Sequence, residues 1–551
     1  MSQTDSVLAA QQVIAGLTGP GGQWELEPAE VLGVEVPVFK NRFRSLSEML
    51  ASSQQWGDDP YIVSLEGALT FSEHLRRVSS LAQSLREEYG ITKGDRVGIA
   101  SANNAEWIQL FWATTSIGAI AVGYNAWWSP RELEYGFDHA TPALIFADEK
   151  RRAAYASLDA VDVPVLDIVA DVERMATAHP DAPLPSAEVA EDDPAVILYT
   201  SGTSGRPKGA VHSHRNVAAV VEYHRYSDAL AAAFGDPTDP RQKAYLLAMP
   251  LFHVGSLHNL AAPRLATGSK VALHLGAFEP AKVLELVEKA RVTHWGAVPT
   301  MANRLLQYEG VANHDTSSLY AFSLASAPSS TEFKQRLREG LPFASALVDS
   351  YGMTETCTAI CVATPVDLAE APGSLGRPII GVDMQIRDVN GNPLPPGEEG
   401  EVYTRSAFTM LGYWNNPEAT EGAFTEDRWL RTGDLGTLDE QGRLRLSSRR
   451  SDLIIRGGEN VYPAEVEGVL GEHPSVAECV VVGVPHADLG QEVGAIVVAR
   501  APGDHAALEQ DLRQYAAANL AHYKVPVHWK IVDAPLPRNA TGKVIRTAVS
   551  I

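Results

Sequence analysis

Eleven consecutive residues, Tyr199-Thr-Ser-Gly-Thr-Ser-Gly-Arg-Pro-Lys-Gly209, gather four Ser/Thr hydroxyls, three glycines and one lysine. That composition suits phosphate. Gly202, Gly205 and Gly209 let backbone N–H groups approach anionic oxygens, Thr200, Ser201, Thr203 and Ser204 supply hydroxyl donors, and Lys208 supplies a positive charge. The spacing is not that of a Walker A loop, which needs Gly-Lys-Ser/Thr entering a helix, because Pro207 precedes Lys208 and Gly209 follows it. No Gly-x-Ser-x-Gly elbow surrounds Ser204, which disfavours a serine hydrolase. The apolar run Ala195-Val-Ile-Leu-Tyr199 ahead of the loop reads as a buried strand, so the loop leaves a sheet at the edge where α/β folds keep ligands. A flexible Gly/Ser linker has no need of such a strand, and the loop predicts a nucleotide-using protein.

Four further segments carry groups that could complete a reaction. Asp349-Ser-Tyr-Gly-Met-Thr-Glu355 offers an aromatic ring, a glycine turn and a carboxylate, suited to stacking a base and holding Mg²⁺ beside phosphates. Arg431-Thr-Gly-Asp434 presents a carboxylate able to accept both hydroxyls of a ribose. Arg449-Arg-Ser-Asp-Leu-Ile-Ile-Arg-Gly-Gly-Glu-Asn-Val-Tyr-Pro463 follows, and Pro537-Arg-Asn-Ala-Thr-Gly-Lys543 places a lysine after a glycine turn near the C-terminus. Taken singly, Asp434 reads equally as a turn cap, Glu355 as a solvated carboxylate and Lys543 as surface charge.

The elements that must position these groups follow from the pattern of apolar runs. From Ser45 to about residue 190, helical periodicity alternates with short strands such as Val97-Gly-Ile-Ala100, Ala119-Ile-Ala-Val122 and Ala143-Leu-Ile-Phe-Ala147, which implies parallel strands with crossover helices. The rhythm continues through Lys270-Val-Ala-Leu-His274, Thr293-His-Trp-Gly-Ala297 and Ala321-Phe-Ser-Leu-Ala325, a second doubly wound unit. After about residue 370, short strands with Pro/Gly turns suggest a small antiparallel or barrel-like segment, and the last hundred residues read as a separate α+β unit. There, Asp504 caps a helix over roughly 505–520 with Leu508, Leu512 and Tyr515 on one face. Residues 1–45 read as a partly ordered extension with no assigned function.

A chain of 551 residues exceeds one core, and 45% hydrophobic with 21% charged residues is ordinary globular composition. The net charge of −23 argues against a nucleic-acid binder or a protein that covers an anionic membrane. Cys357, Cys361 and Cys479 make no disulfide framework and fit reduced thiols in the cytoplasm. No histidine lies near Cys357 and Cys361 at metal-ligand spacing, so no metal site is expected from them. The N-terminus lacks a signal-peptide pattern, and no apolar run approaches the ~20 residues of a membrane span.

In their order and separations the five segments resemble the adenylate-forming superfamily of acyl-CoA synthetases, luciferases and peptide-synthetase adenylation domains, over about residues 45–550. The resemblance implies an α/β fold: a large N-terminal domain, residues 1–450, of two doubly wound αβ subdomains plus a small β-barrel-like subdomain, then a small mobile α+β C-terminal domain, residues 451–551. It implies that Thr200, Ser201, Gly202, Thr203, Ser204, Gly205 and Lys208 hold the β- and γ-phosphates of ATP, with Thr200 and Glu355 near Mg²⁺. Ser326, Ala327 and Pro328, with Asp349, Ser350, Tyr351, Gly352, Met353 and Thr354, would line the adenine, and Asp434 and Arg449 would grip the ribose. Lys543 would bridge the substrate carboxylate and the α-phosphate, and after domain rotation the loop of Gly457 and Gly458 would face the pantetheine of coenzyme A. His253, in Ala248-Met-Pro-Leu-Phe-His-Val-Gly-Ser256, falls where the family keeps an aromatic lid between carboxylate and thiol.

Three positions depart from the family pattern. Ser448 stands before the ribose arginine in place of Gly, Ser451 stands at the hinge in place of Asp or Lys, and Ser326 replaces Gly. Leu257 stands where long-chain fatty members tend to carry a tryptophan gate. The absence of a Phe-Asp start near Phe252-His253 argues against a free amino acid, and the pocket candidates Val254, Gly255, Leu257, Leu260, Ala297, Val298, Met301, Ala325, Met353 and Ala359 are apolar or small. The expected reaction is ATP-dependent, AMP-forming ligation of a medium- or long-chain fatty acid, or a similarly bulky acid, to CoA. The alternatives are a steroid-side-chain or aryl acid, or delivery of the acyl group to a carrier protein. Nucleic acid and integral membrane segments are not expected; a homodimer and transient membrane contact are left open.

Overall fold

The computed structural model describes residues 12–156, 163–200, 207–236, 238–324, 331–344, 347–449, 452–456, 459–486, 489–520, 522–538 and 544–551. Two large sheets organise the first three-fifths of the chain. One runs, in spatial order, Gly412–Tyr413, Gly209–Ser213, Pro194–Tyr199, Ile120–Gly123, Arg96–Ala100, Leu144–Ala147 and Val165–Asp167. Its last five strands are parallel, and Gly209–Ser213 is antiparallel to both neighbours. The other runs Ala321–Leu324, His294–Ala297, Ala244–Leu247, Lys270–Leu273, Pro60–Val63 and Ala68–Thr70, parallel except at the Ala68–Thr70 edge. These are the two doubly wound units that the alternating pattern predicts.

The helices between the sheets are specified locally. Phe71–Tyr89 opens with a reciprocal capping box between Thr70 and Glu73, and His214–Ala233 with one between Ser213 and Asn216. Ala105–Ser116, capped by Asn104, is buried from Trp107 to Ser116, as a helix apolar on every side must be. One continuous core joins Val97 and Ile99 of the first sheet to Tyr61, Val271 and Leu273 of the second through Val78, Trp107 and Phe111 of these helices. A second core, with Trp295, Ala297 and Phe322, covers the other face of the second sheet.

The later chain is antiparallel. Val382–Arg387, Gly400–Ser406, Leu430–Leu438 and Leu444–Arg449 form a four-stranded sheet, and Asp349–Gly352, Ala359–Ala363 and Arg377–Pro378 a three-stranded one. The last sheet joins strands within residues 454–532 and packs on His505–Asn519, the helix expected after Asp504, whose side chain accepts from Ala506 and Ala507 N–H. The N-terminal extension forms a hairpin, Leu26–Val31 with Val34–Phe39, that packs on the His214–Ala233 helix and on Ile379, Ala407 and Phe408. Arg42 and Arg44 pair with Glu191 at 2.8 and 2.6 Å, and Arg215 joins the same carboxylate at 2.9 Å.

Burial holds many imidazoles neutral. It lowers His212, His214 and His253 to about 4, and His74, His224 and His294 to about 3. Each folded value lies below the unfolded value near 6.5, so the stability is complete above about pH 7 and is lost as pH falls through 6.5, where only the unfolded chain takes up protons. Below that point each such histidine removes up to about 1.4 kcal/mol per pH unit. The urea midpoint is therefore expected to drop clearly between pH 7.5 and 5.5, and an unchanged midpoint would refute the neutral burial of these rings.

Candidate active site

The phosphate loop hangs from a rigid root. Tyr199 ends the buried strand Pro194–Tyr199 inside an aromatic box, with Tyr124 and Trp128 ring centroids at 5.9 and 5.1 Å. Its hydroxyl donates to the Gly136 carbonyl at 3.2 Å and sits 3.0 Å from His139 Nδ1. The neck closes where Thr200 N–H donates to the Lys208 carbonyl at 2.9 Å, and Tyr135 steadies it by donating to the Pro207 carbonyl at 3.1 Å. Ser201, Gly202, Thr203, Ser204 and Gly205 lie outside the described residues.

Next to that neck the fold assembles a cation, a phenol and a carboxylate. Tyr413 pairs across from Ala210 in the sheet, and its ring lies 4.6 Å beneath Lys208 Nζ. Its hydroxyl donates to Glu355 Oε1 at 2.7 Å, and burial, then the adjacent carboxylate, push the phenol far above its usual range. Glu355 is 8% exposed and rides on the single turn Thr354–Thr356. Two backbone contacts fix that turn: Met410 N–H donates to the Glu355 carbonyl at 2.9 Å, and His212 Nε2 donates to the Thr354 carbonyl at 2.8 Å. Among the described residues Tyr413 is the one hydrogen-bond partner of the Glu355 carboxylate, leaving Oε2 for a hard cation. A carboxylate oxygen beside the loop neck is the kind of hard donor that Mg²⁺ accompanying a polyphosphate accepts.

A second pair lies on the nucleoside side. Tyr351 donates to Asp434 Oδ2 at 2.6 Å, Asp434 is 3% exposed, and Lys334 pairs with Asp349. Strand register sets Asp434 opposite Arg449, a pairing that a separation of fifteen residues conceals. Gly352 is required by close approach, since a Cβ there would lie 2.2 Å from the Thr358 carbonyl oxygen. Ser326, Ala327 and Pro328 are outside the described residues; the strand ahead of them, Ala321–Leu324, bridges Ser323 to Val348, next to Asp349.

The acyl side begins at His253. It caps a helical run of Val254–Ser256, a π-helical turn Leu257–Ala261 and Ala262–Thr267. The His253 ring sits 4.6 Å from that of Phe252, its Nε2 is buried without a hydrogen-bond partner, and burial keeps it neutral at pH 7. Leu257 is fully buried, as a gate would be. Of the apolar pocket candidates, Ala297 turns into the second core beside Trp295, so His294 and Gly296 occupy the opposite face of that strand. The spacing of the cysteines also hid a neighbourhood: His212, His258 and Cys357 come together with ligand-type atoms within 4.8 Å of one another, all buried.

Lys543, Gly457 and Gly458 fall outside the described residues, and so does the Arg449 side chain. The chain on either side of 539–543 is drawn together, with Arg538 bridging Val544 and Ile545 N–H donating to the Pro537 carbonyl at 2.9 Å. The strands flanking the glycine pair match Arg456 with Glu459.

Comparison with known proteins agrees with this geometry. The AMP-binding enzyme family is matched over residues 50–414 and the AMP-binding enzyme C-terminal domain over residues 465–543. The chain belongs to this adenylate-forming family. Similar relatives are a feruloyl-CoA synthase of Amycolatopsis sp, 36% identical over 88% of this chain and 93% of the relative, and the long-chain-fatty-acid–CoA ligase FadD13 of Mycobacterium tuberculosis, 34% identical over 84% and 88%. The solved o-succinylbenzoate CoA synthetase of Bacillus subtilis in complex with its acyl-adenylate intermediate superposes with a TM-score of 0.79 at 30% identity, covering 92% of this chain and 98% of that one. Within the family the chain is an AMP-forming acid–thiol ligase of the acyl-CoA synthetase type.

Sequence reasoning missed Tyr413; the run Leu411-Gly-Tyr-Trp414, an aromatic pair after a glycine, was the available signal. Removing its hydroxyl takes a hydrogen bond from a buried carboxylate, worth roughly 1.5–3 kcal/mol. Tyr413→Phe is expected to lower kcat/KM for MgATP in the adenylation half-reaction at least tenfold, read by pyrophosphate release at varied Mg²⁺. Unchanged kinetics would remove Tyr413 from the site.

Proposed function

We propose that this protein activates a hydrophobic, bulky carboxylic acid, aryl or alkyl, as its acyl-adenylate and transfers the acyl group to the thiol of coenzyme A. The observation that carries the reading is the alignment of Lys208, Tyr413 and Glu355 along the neck of the phosphate loop, with Tyr351 and Asp434 on the nucleoside side. Relatives named for feruloyl-CoA, fatty-acyl-CoA and 2-succinylbenzoate–CoA formation support the reaction and widen the acid beyond fatty chains.

In this reading Thr200 to Gly205 and Lys208 bind the β- and γ-phosphates. Mg²⁺ bound with ATP is held by Glu355 and Thr200 and supplies charge screening on the phosphates. Ser326–Pro328 and Asp349–Thr354 take the adenine, while Asp434, its carboxylate oriented by Tyr351, takes the ribose hydroxyls together with Arg449. A substrate carboxylate oxygen attacks the α-phosphorus as pyrophosphate leaves, and Lys543 neutralises the charge that builds between them. The CoA thiolate then attacks the acyl carbonyl and AMP departs, a far better leaving group than the oxide of a free carboxylate. A neutral His253 closes the passage between the two nucleophiles without adding a competing charge.

One lysine cannot serve both steps. We place the unit that carries it at residues 451–551, after an N-terminal unit of residues 1–450, so that rotation exchanges Lys543 for the Gly457-Gly458 loop. The net charge of −23 and cysteines in no disulfide support work in the cytoplasm. Among the described residues no helix is long and apolar enough to cross a membrane.

Lys543→Ala is expected to abolish acyl-adenylate formation, by 100-fold or more, while thioester formation from supplied acyl-AMP and CoA proceeds near the wild-type rate. Equal loss in both half-reactions would overturn this division of labour. Acyl-AMP accumulating in the wild type without thioester would favour a carrier protein as the acceptor.

A further inference from the structure

One charged side chain near the acyl entrance has no counterpart in this scheme. Arg264 is 1% exposed, and among the described residues its Nε, Nη1 and Nη2 are all buried without a geometrically formed hydrogen bond. Its guanidinium carbon lies 3.8 Å from the centre of the Tyr245 ring, a cation–π contact that spreads its charge. The acidic groups on that side, Asp228 and Asp236, reach Lys243 at 2.9 and 3.3 Å. A buried cation whose donors go unmet costs several kcal/mol, so stability alone gives no reason to place it there.

Its surroundings form a polar path. Tyr245 stacks on His294 at 4.4 Å, and His294 meets Tyr320, which is 46% exposed, at 5.1 Å. On the helix side, Asn259 lies 3.4 Å from His224 Nε2 and donates to the Val254 carbonyl at 2.9 Å, one residue from His253. Tyr245, His294, His224 and Asn259 are each only partly buried, unlike the cores on either side. Among the described residues, a Cβ on Gly296, on the same strand face as His294, would meet Ser323 Oγ at 3.4 Å and no other atom within 4 Å.

We propose that Arg264 is the specificity residue for the far end of the acid, and that the substrate carries a second anionic group there, a carboxylate or a phenolate. This rests on the ligase reading above and names the substrate class. His253 and Arg264 lie eleven residues apart on one helical run, roughly 16 Å at about 1.5 Å per residue. An extended chain of about a dozen carbon atoms spans that distance. An α,ω-dicarboxylic acid of that length, or an arylalkanoic acid ending in a phenol, places one acid at His253 and the other against the guanidinium. The second group gives the N–H donors their charge-assisted acceptors, bidentate in the carboxylate case.

Equilibrium dialysis of radiolabelled dodecanedioate, dodecanoate and an ω-(4-hydroxyphenyl)alkanoate of matched span, with the wild type, Arg264→Met and Arg264→Lys, tests this directly. The wild type is expected to bind the dianion or the phenol at least tenfold more tightly than dodecanoate, and the better of the two identifies the second group. Arg264→Met should erase that preference while holding dodecanoate as well as before, and Arg264→Lys should keep part of it. Equal wild-type affinity for all three acids, or equal loss for all three in both variants with lowered thermal stability, would overturn the proposal. Release of AMP with ATP and CoA is read separately: selective binding of the dianion without AMP from any acid would fault the ligase reading and still support the anion site.

Discussion

The strand Gly209–Ser213 is hydrogen-bonded on both edges, to Pro194–Tyr199 on one side and to Gly412–Tyr413 on the other. Through the first pairing it closes the neck of the phosphate loop, and through the second it sets the Tyr413 ring under Lys208. From its middle, His212 reaches the carbonyl of Thr354 and so fixes the turn that presents Glu355. Three groups separated by up to two hundred residues are thereby placed by one short ladder. The antiparallel return is what permits this, because a parallel crossover would have carried the chain away from the loop it had just made. The same register that satisfies the backbone of the strand also decides the geometry of the Lys208, Tyr413 and Glu355 cluster.

The site inherits its rigidity from the cores behind it. The buried helix Ala105–Ser116 lies between the two large sheets, and the Tyr199 box ties the root of the loop to Trp128 and His139. Groups that must hold charge, Glu355 and Asp434, are buried but each receives a phenolic hydrogen bond. A tyrosine hydroxyl stabilises an anion without neutralising it, and among the described residues it leaves Glu355 Oε2 open to a cation. Arginine or lysine in those places would have competed with the ligand.

Much of this was legible in the sequence, for identifiable reasons. Short apolar runs between turn or polar residues gave strands at Arg96–Ala100, Leu144–Ala147 and Lys270–Leu273, and Asp504 marked its helix because a cap is a local feature. The phosphate loop was legible because its chemistry is contiguous. What stayed hidden was non-local or two-faced. Tyr413 meets Glu355 across 58 residues and His212 meets Thr354 across 142, and nothing in either local pattern points to the other. The strand His294–Ala297 is paired on both edges inside a parallel sheet, and its short run did not tell which residues turn into the core. Ala297 was assigned to the pocket on composition, whereas it packs in the core beside Trp295 and leaves His294 and Gly296 on the opposite face of the strand.

The N-terminal hairpin has a bearing on how the molecule is made. It settles on the His214–Ala233 helix and on Ile379, Ala407 and Phe408, while Arg42 and Arg44 clasp Glu191 at the approach to the phosphate-loop strand. The hairpin's docking surface is therefore complete only once segments up to nearly four hundred residues further along the chain are in place. Contacts that distant in sequence close slowly, since the entropy of a long loop is spent before any contact compensates for it. The hairpin is in that sense a latch closed at the end of folding, and the newborn chain carries its apolar strands, Val36, Val38 and Phe39, uncovered until then.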